Sequence, residues 1–348
     1  MFNNSSINKK YAELASTEFA AVTVYLVISL LSVFSNVAVL CLYCSRLAAL
    51  LKKPANRILI SLAVCDIFTP LGLIMITMNF LVPKMDISYR IVIDVYEDFF
   101  VKCLIFHLCG LTLDRYIALF HALRYNAIMT NKNVARYIVI SWLIPLIASS
   151  AQFTWLHQII AWGTVSKESD IRVSQLDFWF SLLSFVIFLA LPMIFMATVF
   201  IAMTVEIQRI NQNTPGRALQ TKSKNLNEES CSTYVFGAMY LIFLMLAMPY
   251  YTLRLRNDIY NYMNRNGVLT NLTQIYRFVV GAKYLTSVIR PYLYVFTTID
   301  IRPCFFFHGK ESVVSQTMKK RVYKEHSYCS SALLVKLGSN SKNISAYV

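Results

Sequence analysis

The stretch LTLDRYIALFHALRYNAIMT, residues 111–130, contains the point at which a long apolar segment ends. Asp114, Arg115 and Tyr116 stand where apolar residues give way to polar and basic ones. Charged side chains are unfavourable within lipid unless they have partners or face water, so we place Arg115 at the inner mouth of a membrane helix. A new apolar segment begins at Tyr137, and a short loop therefore joins two membrane helices.

The composition of the chain is that of a membrane protein. Of its 348 residues, 57% are hydrophobic and only 15% are charged, whereas a soluble domain carries about 25% charged residues. The net charge of +15 comes from basic residues in loops and tail, which the positive-inside rule explains without a nucleic-acid partner. The sequence shows no cluster of metal ligands and no nucleophile–base pair, so we predict no cofactor, no metal site and no enzyme activity.

Seven apolar segments are long enough to cross a bilayer. They lie at about 20–44, 57–82, 87–121, 137–158, 178–207, 231–256 and 273–298. The pattern predicts an all-α fold, a seven-transmembrane helix bundle over residues 20–298. Residues 1–19 precede the bundle, and residues 309–348 form a polar, serine-rich tail that we expect to be disordered.

Charge and glycosylation patterns orient the predicted bundle. Most of the 33 Lys and Arg residues fall in segments on one side, which places that side in the cytoplasm and the N-terminus outside. Sequons at Asn3, Asn4 and Asn271 then lie on the outer side, where they can be glycosylated. None of the eight cysteines lies in an outer segment, so we predict no extracellular disulfide. The expected location is the plasma membrane, with an extracellular N-terminus.

Polar residues inside the predicted helices mark candidate functional positions. Asn36 in helix one and Asp66 in helix two need partners at lipid depth. Helix three carries Asp94, Glu97 and Asp98, which share one face because their spacing is i, i+3, i+4. These acids could form the anionic wall of a ligand pocket. The alternative is an acidic cluster at the membrane edge, neutralised by water and by the lysine four residues after Asp98.

The Asp114-Arg115-Tyr116 sequence resembles the signature of rhodopsin-like (class A) G-protein-coupled receptors, and further landmarks agree. The matching tryptophan, prolines and helix-six and helix-seven aromatic residues are Trp142, Pro192, Phe243, Pro249, Pro291 and Tyr294. The segment from Asp114 to Thr130 also resembles the inner loop of melanocortin receptors. The missing outer disulfide is shared with the melanocortin, cannabinoid and lysophospholipid branch. The resemblance implies two partners, an extracellular ligand and a heterotrimeric G protein.

The resemblance assigns a ligand pocket to the outer half of the bundle. Glu97 falls where aminergic receptors have their amine-binding acid, and Asp94 falls where melanocortin receptors have a pocket acid. Tyr284 stands where opsins attach retinal, so a retinal pigment is not expected. Lys283, one residue away, is expected to face another way. The pocket residues that we predict are Asp94, Glu97, Asp98, Lys283 and Tyr284.

The inner half of the bundle carries the residues that the resemblance implicates in coupling. Asp114, Arg115 and Glu229 are expected to form a charge network that holds the receptor in its inactive state. The residues assigned to coupling and switching are Asp114, Arg115, Tyr116, Glu229, Pro291 and Tyr294.

Arg290 departs most clearly from the family pattern, which has asparagine at this position. The resemblance places Asp66 opposite Arg290 across a sodium-binding pocket, so we predict an Asp66–Arg290 ion pair in place of sodium. Asn36, Asp66 and Arg290 form the predicted polar core. Ala247 and Phe200 replace a tryptophan and a tyrosine of the family, and these departures count against ordinary agonist switching.

The C-terminal part of the chain carries weaker patterns. Residues 299–308 resemble the short amphipathic eighth helix of the family, in which Cys304 is a candidate palmitoylation site or a plain buried thiol. Phosphorylation-controlled arrestin binding is a hypothesis for the tail, and membrane lipid is a further expected partner. The last four residues, 345–348, resemble a terminus that binds a PDZ domain, and chance is the alternative explanation of this resemblance.

The sequence therefore predicts a G-protein-coupled receptor for an extracellular ligand. The acids on helix three favour a cationic amine or a basic peptide. A lipid ligand is one alternative, and a receptor-shaped protein that signals constitutively or not at all is another, suggested by Arg290, Ala247 and Phe200. A transporter fits less well, because no internal repeat and no continuous path of charges is present.

Overall fold

The structure is a computed structural model that describes residues 4–45, 54–81, 87–155, 167–213, 219–263 and 273–297. Within these ranges every regular element is helical. The predicted eighth helix and tail, together with Asn3, Asn271 and Cys304, lie outside the described residues.

Seven long helices account for most of the described part of the chain, as the sequence predicts, and two short helical turns, Ala122–Arg124 and Tyr125–Ile128, join the third to the fourth. The first four are uninterrupted α-helices: α1 Asn4–Ser45, α2 Pro54–Leu81, α3 Ile87–Phe120 and α4 Asn131–Ser150. The next, α5, joins the α-helices Lys167–Ser184 and Leu191–Asn213 through a π-helical segment, Phe185–Ala190. The last two are α6, in the two segments Leu219–Leu246 and Met248–Met263, and α7, Thr273–Thr297.

Several helices begin before the apolar segments that predicted them. The helix α4 starts at Asn131 rather than at 137, since the Thr130 side chain caps it by accepting a hydrogen bond from the Asn133 amide at 3.3 Å. The helices α1, α5 and α6 also extend into polar sequence. Hydropathy marks only the part of a helix that meets lipid, whereas capping and backbone hydrogen bonding set where the helix ends.

Two prolines coincide with irregular backbone. The π-helical segment of α5 ends immediately before Leu191 and Pro192, and α6 is interrupted at Ala247, two residues before Pro249. Proline removes one backbone donor and crowds the preceding turn, which is the usual origin of such breaks. In contrast, Pro145 lies inside a helix without a break.

The helix α3 is the centre of the bundle. It packs against α2, α4, α5 and α6, while α7 packs against α1, α2 and α6 and so closes the ring. Lipid-depth polar groups of α3 and α7 therefore face one another across the middle of the bundle.

The bundle is apolar outside, as contact with lipid requires, and it buries polar side chains within a mainly apolar interior. Large apolar side chains are exposed along the outward faces, for example Phe34, Ile147, Ile201, Met245 and Phe278. Buried positions instead include many polar and charged side chains, among them Asn36, Asp66, Glu97, Lys102, Lys283 and Arg290. Each of these must find partners within the protein.

Six of the described helices are long and apolar enough to cross a membrane, and each overlaps one of the first six predicted segments. The remaining helix, α7, carries Arg277, Lys283 and Arg290. Of these, Lys283 and Arg290 are buried within the bundle, so lipid does not have to solvate them.

A glycine allows the close approach of α3 and α4. A Cβ atom at Gly110 would lie only 2.8 Å from Cζ of Tyr137 on α4. The Tyr137 ring cannot easily move away, because its hydroxyl donates a hydrogen bond to the Phe106 carbonyl. A side chain at position 110 would therefore either clash with the ring or break this hydrogen bond.

We predict that Gly110→Ala lowers the stability of the detergent-purified protein by about 1–3 kcal/mol, the usual effect of overpacking. Thermal unfolding and surface expression measure the loss. In a Tyr137→Ala background the same change should have little effect, because the clashing ring is gone. Gly281→Ala is the matched control, since its Cβ would lie 3.4 Å from the nearest atom of Tyr25. Equal stability of the Gly110→Ala and Gly281→Ala proteins would contradict the packing described here.

Candidate functional site

Glu97 of α3 is contacted by two tyrosine hydroxyls and two basic side chains. Its carboxylate accepts hydrogen bonds from the hydroxyl of Tyr250 on α6, at 2.7 Å, and from that of Tyr284 on α7. Two cations lie close to it as well: Lys283 Nζ at 3.2 Å and Arg254 Nη1 at 4.0 Å. Glu97 thus joins three helices through one buried carboxylate.

Aromatic rings surround the ammonium group of Lys283. Its Nζ lies 4.2 Å from the ring centroid of Tyr250, 4.7 Å from that of Tyr284 and 5.5 Å from that of Tyr251. Distances within about 6 Å allow attraction between the cation and the ring faces. The prediction that Lys283 and Tyr284 face different ways is wrong, because both side chains contact Glu97. The long lysine side chain reaches the carboxylate that its neighbour also contacts.

Asp98 is directed to α4 rather than to α6 and α7. It forms an ion pair with Lys102 and accepts hydrogen bonds from Ser149 at 2.7 Å and from Gln152 at 3.0 Å. The Lys102 Nζ also lies 4.9 Å from the centroid of the Phe180 ring. Asp98 is therefore neutralised locally, as its spacing from Lys102 suggested.

Asp94 is exposed and lies 3.4 Å from Arg254 Nη2. Together with the pairs of Glu97 and Asp98, this gives each of the three acids of α3 a basic partner. The three acids start on one face of α3 but contact different neighbours. They do not form an uncompensated anionic wall.

A cavity of about 260 Å³ lies beside these acids, between α3, α5, α6 and α7. We call it the aspartate cavity, because four aspartates and only two basic residues line it: Asp94, Asp98, Asp177, Asp258, Lys102 and Arg254. The pocket residues predicted from the sequence did not include Asp177, Asp258 or Arg254. These residues lie toward the ends of apolar segments, where charges are common, so no signal in the sequence separated them from solvated helix ends.

A second, much smaller cavity of about 20 Å³ lies next to it. Glu97, Lys283 and Arg290 line this small cavity, and it shares Val101 and Tyr251 with the aspartate cavity. The two spaces are thus neighbours, and one is almost completely filled by side chains.

The polar core of the bundle contains a paired arginine and aspartate. Arg290 donates from Nε to one carboxylate oxygen of Asp66 at 2.9 Å and from Nη2 to the other. The Nη2 group also donates to Ser287 Oγ at 2.8 Å, and Nη1 to Thr286 Oγ1 at 3.3 Å. The structure therefore contains the ion pair that the sequence predicts, in the two-pronged geometry that an arginine and a carboxylate favour.

Asn36 of α1 is the third residue of the predicted polar core, and its described hydrogen bonds go to backbone carbonyls rather than to Asp66 or Arg290. Its amide donates to the Ser287 carbonyl of α7 at 3.0 Å and to the Ser32 carbonyl at 2.9 Å. It thereby ties α1 to the helix that carries Arg290.

At the opposite end of α3, Arg115 pairs with its neighbour Asp114 at 2.7 Å. The Tyr125 hydroxyl donates to the other Asp114 oxygen at 2.7 Å, and the Arg115 guanidinium lies 5.5 Å from the centroid of the Phe236 ring on α6. Tyr116 packs against Phe120. The structure brings these groups together as the sequence suggests, whereas the side chains of Glu229 and Tyr294 lie outside its described part.

The remaining landmarks occupy packed positions. Trp142 donates to Ser61 Oγ at 2.9 Å and lies between α3 and α2. Phe243 and Pro291 are buried. Asn4 begins α1, but its side chain is outside the described set.

The family model of the 7 transmembrane receptor (rhodopsin family) matches residues 35–294. The chain belongs to this family. A rhodopsin-family chain is a multi-pass receptor of the plasma membrane and not an enzyme, and its partners are an extracellular ligand and a G protein.

Relatives of this rhodopsin-family receptor carry names of two kinds. Trace amine-associated receptor 7d of Rattus norvegicus is 24% identical and covers 71% of this chain and 70% of its own. Trace amine-associated receptor 7f of Mus musculus is 24% identical, over 80% of this chain and 76% of its own. The 5-hydroxytryptamine receptor 1F of Homo sapiens is 31% identical, but over only 31% of this chain and 30% of its own. The inner-loop resemblance had instead suggested the melanocortin branch.

We predict that Arg290→Asn lowers the stability of the receptor by about 3–5 kcal/mol, because it leaves Asp66 as a buried charge without its arginine. A small cation can then compensate this charge. Thermal unfolding of the Arg290→Asn protein should therefore shift upward in NaCl relative to choline chloride, whereas the wild type should not respond.

Two variants control this measurement. Asp66→Asn combined with Arg290→Asn should lose the sodium response, since no carboxylate remains. Arg209→Gln removes an exposed arginine and should change stability little. A sodium response in the wild type, or its persistence without Asp66, would contradict the assignment of Arg290 as the internal counter-ion.

Proposed function

We propose that this receptor binds a small cationic amine in the aspartate cavity and activates a G protein at the opposite end of the bundle. The observation that carries the proposal is the excess of aspartates over basic residues in this cavity. The amine and tryptamine names of the relatives described above agree with it. The N-terminus and the aspartate cavity then face outside, and Arg115 faces the cytoplasm.

Asp177 and Asp258 provide the excess charge. Among the described residues, neither carboxylate has a basic group within 4 Å, whereas Asp94 and Asp98 both do. A bound ammonium group would add the missing charge in a space whose protein walls exclude part of the surrounding water. Attraction at such a site is several times stronger than in water, because the effective dielectric constant is lower.

The size and polarity of the cavity favour a small amine over a peptide or a lipid. Pockets for drug-sized molecules are about 300–1,000 Å³, and this one is about 260 Å³. A small amine fits such a space better than a peptide does. A lipid would leave several charged side chains facing its acyl chain, which is unfavourable.

Coupling follows from a population shift between inactive and active bundles. We infer that Arg115 is held by Asp114, with Glu229 as a further partner, until an agonist favours the active arrangement. Arg115 then contacts the G protein. Release of Arg115 changes the packing of its guanidinium on Phe236, which lies on α6. Arrestin binding by the tail remains part of this proposal.

A receptor that signals without a ligand is the second candidate. The observation that favours it is that Glu97 already holds an ammonium group, that of Lys283. Ala247 and Phe200 also favour signalling without a ligand, because they replace the tryptophan and the tyrosine that the family resemblance associates with agonist switching.

We predict that amines activate the wild-type receptor in cells and that Asp177→Asn and Asp258→Asn each reduce agonist potency by on the order of tenfold, which corresponds to about 1.4 kcal/mol. Each change removes one charge that attracts the ammonium group. The measurement is G-protein dissociation, reported by sensors for each Gα class, across a panel of primary amines and diamines. Glu206→Gln is the matched carboxylate-to-amide control, since Glu206 is paired with Arg209 away from the cavity.

Arg115→Ala separates the two candidate functions. It should abolish agonist-stimulated signalling in a conditional receptor and basal signalling in a ligand-independent one. High basal signalling that no amine changes would favour the second candidate. If amines activate the receptor but both aspartate variants keep wild-type potency, the assignment of the aspartate cavity as the ligand site is wrong.

A further inference from the structure

Glu97 and three tyrosines have the composition of an ammonium-binding site. A carboxylate supplies the charge, while the rings of Tyr250, Tyr251 and Tyr284 present their faces to one point. Aromatic rings arranged around a cation are a recurring way in which proteins recognise ammonium ligands. In this receptor the group at that point belongs to the chain itself, because Lys283 Nζ lies 3.2 Å from Glu97.

We propose that the cluster of Glu97, Tyr250, Tyr251 and Tyr284 is an amine site that the receptor fills with its own Lys283. The lysine acts as a tethered ligand and prevents an external amine from reaching Glu97. External amines are thereby restricted to the aspartate cavity.

The burial of both charges keeps the lysine in place. Glu97 is 5% and Lys283 is 7% exposed. Withdrawal of either side chain would leave the other away from water without its nearest opposite charge, which is strongly unfavourable. The Tyr250 and Tyr284 hydroxyls donate to the same carboxylate. These two hydrogen bonds fix the orientation of the Glu97 carboxylate. The site is therefore preorganised around an ammonium group.

The available space excludes a second amine. The small cavity beside Glu97 and Lys283 is only about 20 Å³, which leaves room for roughly one water molecule and not for a propylamine-sized ligand. Removal of the lysine side chain beyond Cβ would enlarge it by the volume of one propylamine molecule. Such an opened site would lie beside the aspartate cavity, since Val101 and Tyr251 line both.

Arg254 connects the filled site to the open one. Its guanidinium lies 3.4 Å from Asp94, which lines the aspartate cavity, and 4.0 Å from Glu97. A cation that binds in the aspartate cavity would repel Arg254 and so change the balance of charge at Glu97. This inference rests on the proposed function only where it says that external amines bind in the aspartate cavity, because amine binding at Glu97 can be measured without signalling.

The test is chemical rescue of full-length Lys283→Ala by n-propylamine, which has the same three carbons and one nitrogen that the substitution removes. We expect the purified variant to melt at a lower temperature than the wild type. Added n-propylammonium should raise that temperature saturably, by roughly 3–5 °C at 100 times its Kd. The wild type should not respond, since Lys283 occupies the site.

Three controls define the site. Lys283→Met removes the ammonium group but keeps most of the side-chain volume, so it should not respond to the amine. Lys283→Ala combined with Glu97→Gln should lose the response, because no carboxylate remains. The neutral 1-propanol has the same size and should not rescue Lys283→Ala.

The proposal is overturned if Lys283→Ala fails to respond, or if it responds equally without Glu97 or to 1-propanol. If Lys283→Ala does not survive purification, the same comparison is made by surface expression in cells grown with the amine. Recovery there that depends on Glu97 supports the proposal, and no recovery overturns it. If amine signalling does not depend on Asp177 and Asp258, the proposed function is wrong and this inference still stands.

Discussion

The arrangement of the bundle depends on one buried carboxylate, that of Glu97. A carboxylate away from water is unfavourable by several kcal/mol unless donors and cations surround it. Glu97 meets this requirement with Tyr250 from α6 and with Lys283 and Tyr284 from α7. Because these partners come from different helices, the need to compensate one charge fixes α6 and α7 against α3. Any rearrangement of α6 relative to α3 has to preserve or replace these contacts.

The same principle recurs at other depths of the bundle. Asp66 is compensated by Arg290, Asp98 by Lys102 and Asp114 by Arg115. The receptor therefore supplies internal cations for the buried acids of α2 and α3. The aspartate cavity differs because Asp177 and Asp258 add negative charge without a basic group within 4 Å in the described part of the chain. A site that lacks a positive charge is a better candidate for an external cation than one that already contains it.

The sequence predicted the parts of this arrangement that follow from depth in the membrane. Asp66 and Arg290 lie inside apolar segments, so each required a partner, and the resemblance to class A receptors implied that the two would pair. The sequence did not predict Lys283 correctly, because residues 283 and 284 point about 100° apart on a helix and only the reach of the lysine side chain brings both to Glu97. Asp177 and Asp258 were missed because charges near helix ends are ordinary. Their significance depends on the cavity that α3, α5 and α6 enclose, and this enclosure is a property of the packed bundle.

The central claim is that Glu97 and Lys283 form one interacting unit. The most direct measurement is a double-mutant cycle on the stability of the purified receptor, with Glu97→Gln, Lys283→Met and the combined variant. We predict that each single change lowers stability by about 3–5 kcal/mol and that the combined variant loses much less than the sum. Additive losses would show that the two groups do not compensate each other and would contradict the account.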